Sequence, residues 1–169
     1  MNQKPDIIIG IDPDVEASGF AVLYVNERKF GTIERKPFAW ILRELDYYGT
    51  FNNTRIAVVI EASHLLKTNW HLPPYCSANK AASMGEDVGR CHEVGVLLIE
   101  MARVYGLDVI EQQPLRLCWG KDKNGKQKKI SQEQIAYFVP EWPNRSNQEE
   151  RDAALLAWAA ANLPIKVRV

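Results

Sequence analysis

Two acidic residues each end a short, strongly apolar run. Asp12 closes the run at residues 7–11, and Glu61 closes the run at residues 56–60. Each run predicts a fully buried strand. An ionised carboxylate at the rim of an apolar layer is costly unless a positive group meets it. If the two strands are parallel neighbours, about 4.8 Å apart, both carboxylates lie at one sheet edge and are close enough to share a divalent cation.

A third acidic group, Glu149, Glu150 and Asp152, opens the last predicted helix. Glu149 and Asp152 are three residues apart and share a helix face, whereas Glu150 points about 100° away from Glu149. Hard oxygen ligands favour Mg²⁺ or Mn²⁺ over zinc. The sequence therefore predicts a divalent-metal site, if the fold gathers these acids. Taken singly, each acid also fits an ordinary position in a turn, at a strand end or in a first helical turn.

Composition bounds the class of protein. The chain has 169 residues, 46% of them hydrophobic, which predicts one globular domain over residues 1–169. No apolar stretch approaches the roughly 20 residues that span a bilayer, so no membrane partner is expected. The N-terminus has no signal-peptide pattern, and three widely spaced cysteines indicate reduced thiols. These features favour a cytoplasmic protein.

The net charge is zero, with 21 basic and 21 acidic residues, but the charge is unevenly distributed. Residues 116–129 hold six basic residues and one acid, and residues 62–83 hold no acid. Local basic patches attract a polyanion even when the total is neutral, although a solvated lysine loop would look the same. Trp70 and Tyr75 could stack on unpaired bases, or Trp70 could simply pack its loop. The candidate nucleic-acid contacts are Lys67, Trp70, Tyr75, Lys80, Arg116, Lys121, Lys123 and Lys126.

The order of predicted elements indicates an α/β fold with a five-stranded mixed sheet flanked by helices. Short turns make the first three strands an antiparallel meander, and a strand reached through a helix is expected to run parallel to the first. Ser131 with Gln134 forms a capping-box pattern that starts a late helix. The predicted strands are residues 6–12, 18–25, 29–36, 55–60 and 107–111, and the predicted helices are residues 37–48, 85–105, a short one near Pro114, one from Ser131, and 148–162. Residues 62–83 are predicted to be a long connection.

Four segments, in the right order, resemble RuvC-type Holliday junction resolvases. Residues 9–13 and 18–22 resemble the opening strand pair of that family, and residues 59–61 resemble its second acidic strand. Residues 85–98 resemble its glycine-containing central helix, and residues 152–157 resemble its terminal helix. The resemblance covers most of the chain. It implies a ribonuclease H-like fold, a homodimer, and Mg²⁺-dependent resolution of four-way DNA junctions by paired symmetric nicks.

The resemblance also implies roles for individual residues. Asp12, Glu61 and Asp152 fall on the catalytic acid positions, and Glu149 falls on the fourth, where the family more usually has aspartate. Four such carboxylates would hold two Mg²⁺ or Mn²⁺ ions that clamp the attacking and leaving oxygens.

Two further assignments each have an alternative. Lys128 or Lys129 falls near a basic position beside the scissile phosphate, and Lys121 falls near another. The face around Val88, Cys91 and Gly95 could form the dimer interface or could be ordinary core packing.

Three other functions compete with junction resolution. The same fold could act on a ribosomal RNA precursor or a transposon end. The opening Gly10-Ile11-Asp12 strand also occurs in actin-like sugar kinases, but those need two lobes, and Asp14 and Glu16 would repel nucleotide phosphates. A junction-binding module without catalysis is the third alternative.

Overall fold

The computed structural model describes residues 4–66, 75–115, 119–120 and 128–166. Its strands are β1 (Ile7–Asp12), β2 (Ser18–Tyr24), β3 (Lys29–Lys36), β4 (Ile56–Glu61) and β5 (Asp108–Gln112). Its helices are α1 (Phe38–Gly49), α2 (Ala78–Val104), α3 (Gln132–Ala136) and α4 (Gln148–Ala160), with a 3₁₀ turn at Ser63–Leu65. In the described part of the chain, every helix is too short or too polar to span a bilayer.

The five strands form one mixed sheet in the order β3-β2-β1-β4-β5. Strand β2 runs antiparallel to β1 and β3, whereas β1, β4 and β5 run parallel to one another. The predicted α/β architecture, a five-stranded mixed sheet flanked by helices, is confirmed. The two acid-bearing strands, β1 and β4, are neighbours at the centre of the sheet.

Side-chain alternation along β1 divides the core into two layers. Ile8 points to the face covered by α4, where it joins Leu156 and Trp158. Ile9 and Ile11 point to the other face, which α1 and α2 cover. Because both faces are covered, the central strands are apolar throughout and carry their first polar side chains only where they end.

Helix α4 rests directly on the backbone of β1 and β2. A Cβ atom added to Gly10 would lie 3.0 Å from the backbone nitrogen of Ala157 and closer still to the carbonyl oxygen of Ala153. A Cβ atom added to Gly19 would lie 2.5 Å from the carbonyl carbon of Glu149. Only glycine permits this approach, so these two positions set the distance between α4 and the sheet.

The prediction of a connection over residues 62–83 was wrong for its last six residues, 78–83, which are helical. Helix α2 begins at Ala78, seven residues before the predicted start, and the Ser77 hydroxyl caps it by accepting the Lys80 N–H at 3.4 Å. The prediction followed apolar spacing, which begins only at Val88, whereas residues 78–84 are mostly strong helix formers on an exposed surface.

Other predicted elements agree closely with the structure. The capping box at Ser131 is formed, and α4 ends two residues before the predicted Asn162. The short helix expected near Pro114 does not include residues 113–115, and residues 116–118 lie outside the described residues.

Candidate active site

Asp12 and Glu61 lie side by side at one edge of the sheet. Their strands pair in parallel, with Ile11 opposite Ile60, and each acid is the last residue of its strand. Both residues are partly buried, in contrast to the fully buried residues that precede them. The predicted juxtaposition of these two carboxylates is therefore present.

Helix α4 brings its first turn to the same edge. Asp12 lies opposite Gly19 in the β1–β2 pairing, and the backbone of Gly19 lies against the backbone of Glu149. Asp152 is one turn further along the helix, on the face that Glu149 shares. The acids from three distant parts of the sequence thus converge on Asp12.

The convergence perturbs the protonation of the two strand-end acids. Burial raises the pKa of Asp12 well above its usual value, and repulsion from Glu61, Asp152 and Glu149 raises it further, against the attraction of Lys129. Burial also raises the pKa of Glu61, again with repulsion from Asp152 and opposing attraction from Lys129. The site therefore holds more negative charge than its own residues neutralise.

Lys129 is the cation that faces these acids. Its Nζ donates to Oδ2 of Asp152 at 2.6 Å, and its side chain is 67% exposed. Burial of the charged tip opposes protonation, but the combined attraction of Asp152, Asp12 and Glu61 outweighs burial and raises the pKa of Lys129. Lys128 is exposed and is held through its backbone N–H, which donates to the Gly120 carbonyl at 3.0 Å. Of the two candidate lysines, Lys129 is the one against the carboxylates.

Glu150 has a separate task at the start of α4. Its Oε2 accepts the backbone N–H of Asn147 at 2.9 Å, and its own N–H donates to Oδ1 of Asn147 at 2.8 Å. This reciprocal pair is a capping box. Glu149 is the acid left facing the sheet edge.

Gln148 and Arg151 of α4, which the sequence did not single out, form hydrogen bonds that support the site. Gln148 donates from Nε2 to Oδ1 of Asp152 at 2.8 Å. Arg151 donates from Nη2 to Oε1 of Gln148 at 3.0 Å and from Nε to the Ile130 carbonyl at 3.0 Å. The spacing of Gln148 four residues before Asp152, and of Arg151 three residues after Gln148, was the available signal.

The candidate ligands are all carboxylates, which suits a hard divalent cation, but they do not surround a single point. Within residues 4–66, 75–115, 119–120 and 128–166, no three His, Cys, Asp or Glu side chains are gathered closely enough to hold a metal ion. Both oxygens of Asp152 accept hydrogen bonds, one from Lys129 and one from Gln148. The ligands would all be oxygens. The pKa values of Asp12 and Glu61 are raised first by burial and then by repulsion among the acids, and a bound cation would offset both effects.

The other predicted contacts lie away from this edge or outside the described residues. Tyr75 is fully exposed and has a positive φ of 66°, and Lys80 is exposed in the first turn of α2. The remaining predicted nucleic-acid contacts lie outside the described residues: Lys67, Trp70, Arg116, Lys121, Lys123 and Lys126.

The α2 residues considered for dimer contacts differ in burial. Val88 and Cys91 are partly exposed, whereas Gly95 is buried, with its added Cβ 3.4 Å from Cγ of Pro13. Gly95 is therefore core packing beside the site.

No family model and no curated protein matches the chain. Solved structures are similar over most of its length. RuvC of Thermus thermophilus in complex with a Holliday junction substrate is 15% identical, with a TM-score of 0.48, covering 92% of this chain and 94% of that one. A second Thermus thermophilus RuvC structure is 16% identical, with a TM-score of 0.41, covering 92% and 95%. The large terminase nuclease of a thermophilic phage is 13% identical, with a TM-score of 0.37, covering 92% and 82%. The chain is thus similar to these nucleases, at identities that do not by themselves assign an activity.

Proposed function

We propose that this chain is a divalent-metal-dependent endonuclease that resolves four-way DNA junctions by paired symmetric nicks. The observation that supports the proposal is the convergence of acids from β1, β4 and α4 on one sheet edge, with Lys129 against Asp152. Asp12, Glu61, Glu149 and Asp152 are the proposed metal ligands, for two Mg²⁺ or Mn²⁺ ions. Such ions, when bound, supply a Lewis acid and a source of hydroxide at the phosphate.

The carboxylates hold cations in this proposal and do not themselves attack phosphorus. Asp12 and Glu61 are fixed by the sheet, so their positions change little when the site fills. Glu149 and Asp152 are fixed by the packing of α4 on Gly10 and Gly19. A ligand set supported by two rigid elements favours the fixed geometry that an in-line displacement requires.

Lys129 is the proposed phosphate contact. Its ammonium group pairs with Asp152, and its exposed side chain leaves it free to turn outward. When a divalent cation takes over Asp152, the ammonium group would reach a phosphate oxygen and offset the charge that develops during cleavage. Lys128, exposed beside it, would contribute a second phosphate contact that carries no sequence information.

The proposed substrate class follows the sequence resemblance to RuvC-type resolvases, and one structure similar to this chain is RuvC bound to a Holliday junction substrate. Resolving a junction needs two nicks related by a twofold axis, which a homodimer supplies. The first part of α2, residues 78–94, has no buried side chain and offers surface for a second copy or for DNA. Tyr75, just before α2, and Lys80, in its first turn, are both exposed and are proposed junction contacts.

The test offers the protein a mobile four-way junction, a linear duplex and an RNA–DNA hybrid, each with Mg²⁺ or Mn²⁺. Symmetric nicks in the junction alone are expected, together with loss of cutting but not of binding in Asp12→Asn. Arg43→Ala is the matched control, because it removes an exposed charge that pairs only loosely with Glu44 on α1. Cutting of the hybrid would favour a ribonuclease, and junction binding without any cutting would favour a non-catalytic module.

A further inference from the structure

The guanidinium group of Arg151 joins three segments around the site. Its Nε donates to the carbonyl of Ile130 at 3.0 Å, and its Nη2 donates to Oε1 of Gln148 at 3.0 Å. Its Nη1 donates to the carbonyl of Ser146 at 2.5 Å and to the hydroxyl of that residue at 3.2 Å. One side chain therefore ties α4 to the segment before α3 and to the loop that enters α4.

All of these acceptors are neutral oxygens. Among the described residues, Arg151 forms no direct salt bridge, although Glu133 is near enough to feel its charge, and Arg151 makes no contact with Asp152 for which a cation would compete. The capping box of α4 is completed by Asn147 and Glu150 alone. The contacts of Arg151 are thus additional to those that start the helix.

The contact with Gln148 fixes the direction of its amide group. Arginine has donors only, so Gln148 must present its carbonyl oxygen to Arg151. The NH₂ end of the same amide then faces Asp152, where it donates to Oδ1 at 2.8 Å. Arg151 thereby holds one oxygen of a proposed metal ligand through an intermediate residue.

The contact with Ile130 acts on the other side of the site. Ile130 is almost fully buried and follows Lys129 directly. By holding the Ile130 carbonyl, Arg151 fixes the backbone from which Lys129 extends toward Asp152. The same guanidinium therefore limits the movement of both partners in the Lys129–Asp152 pair.

We propose that Arg151 is a positioning residue that acts on Asp152 through Gln148 and on Lys129 through the Ile130 carbonyl. The inference rests on the proposed function, because it links the Arg151–Gln148 contact to metal binding and the Arg151–Ile130 contact to phosphate binding. Loss of the hydrogen bond to Gln148 should weaken cation affinity. Loss of the hydrogen bond to the Ile130 carbonyl should slow cleavage even when the cation is saturating.

The test measures Mn²⁺ affinity by isothermal titration calorimetry and single-turnover junction cleavage across Mn²⁺ concentrations. Arg151→Ala should weaken Mn²⁺ binding roughly 10- to 100-fold and should also lower the rate at saturating Mn²⁺. Gln148→Ala should weaken Mn²⁺ binding in the same direction, with a rate that recovers at saturation. Arg151→Lys should rescue only part of the loss, because one ammonium group cannot reproduce a fork of donors.

Controls separate positioning from folding. Arg43→Ala should match wild type in both measurements, and thermal unfolding without metal shows whether each variant is folded. If Arg151→Ala does not fold, Gln148→Ala and Arg151→Lys decide the question. Variants that lose thermal stability but bind Mn²⁺ and cut like wild type would overturn the inference while leaving the proposed function intact. A wild-type protein that neither binds Mn²⁺ nor cuts would overturn both.

Discussion

Replacing Gly19 with alanine tests whether backbone packing sets the position of the acids. The added Cβ would lie 2.5 Å from the carbonyl carbon of Glu149, and closer still to its oxygen. Real Cβ atoms essentially never come within 3.0 Å of such atoms, and neither neighbour is a flexible side chain that can turn away. The first turn of α4 must therefore retreat from the sheet.

The required retreat approaches 1 Å, because the carbonyl oxygen is nearer than the carbon. Displacements of about 1 Å near reacting groups cost on the order of 100-fold in rate. Overpacking of this kind also costs roughly 1–3 kcal/mol of folding free energy. For a chain of this size, that corresponds to a melting temperature lower by roughly 2–4 °C for each kcal/mol.

The assay is single-turnover cleavage of a four-way junction, with thermal unfolding measured in parallel. Arg43→Ala is the matched control, because it removes an exposed side chain on α1 that pairs only loosely with Glu44. Arg43→Ala should cut normally and unfold close to the wild-type temperature. A Gly19→Ala protein with normal cleavage and normal melting would refute the direct contact between α4 and β2.

Four further substitutions test the charged groups of the site. Lys129→Met should reduce single-turnover cleavage by about 100-fold or more and lower the melting temperature without metal, because Asp152 loses its counter-charge; unchanged melting would show that the ion pair does not stabilise the fold. Asp12 has a raised pKa, so the folded state binds its proton more tightly than the unfolded state, and metal-free stability should fall as pH rises from the usual carboxyl range through the raised value. Asp12→Asn should weaken this pH dependence and should melt at a higher temperature than wild type at pH 7–8 in the presence of a chelator. Wild-type stability that increases as pH rises from the usual carboxyl range would contradict a raised pKa for Asp12. Glu149→Ala should abolish cleavage. Glu150→Ala should cleave normally but lose about 1 kcal/mol of stability in denaturant unfolding, because Glu150 is a capping partner of α4. The opposite result would mean that Glu150, and not Glu149, is the metal ligand.

The sheet and its acids were predictable because they depend on short-range patterns. Runs of five apolar residues followed by Asp12 and Glu61 predict buried central strands, and the helix that leads into β4 predicts that β4 runs parallel to β1. The capping box at Ser131 is a local pattern of four residues and was equally legible. The position of Asp152 on the inner face of α4 followed from helical spacing alone.

The contacts that hold the site in place were not predictable in the same way. The choice of Lys129 over Lys128 depends on how the segment before α3 meets α4, which neighbouring residues do not determine. Arg151 reaches Ile130 across 21 positions in sequence, so no local pattern marks that contact, although helical spacing does mark its contact with Gln148. The start of α2 was missed because exposed helical turns have no apolar periodicity.

The seating of α4 on two glycines has a consequence for how the molecule tolerates change. The spacing between helix and sheet is set by main-chain atoms, which every amino acid shares, and little by the shape of interlocking side chains. Exchanges among the apolar residues of that layer should therefore alter stability without displacing the carboxylates. Variation can therefore accumulate in that layer, whereas a single methyl group added at Gly10 or Gly19 would displace α4 and the proposed metal ligands that it carries.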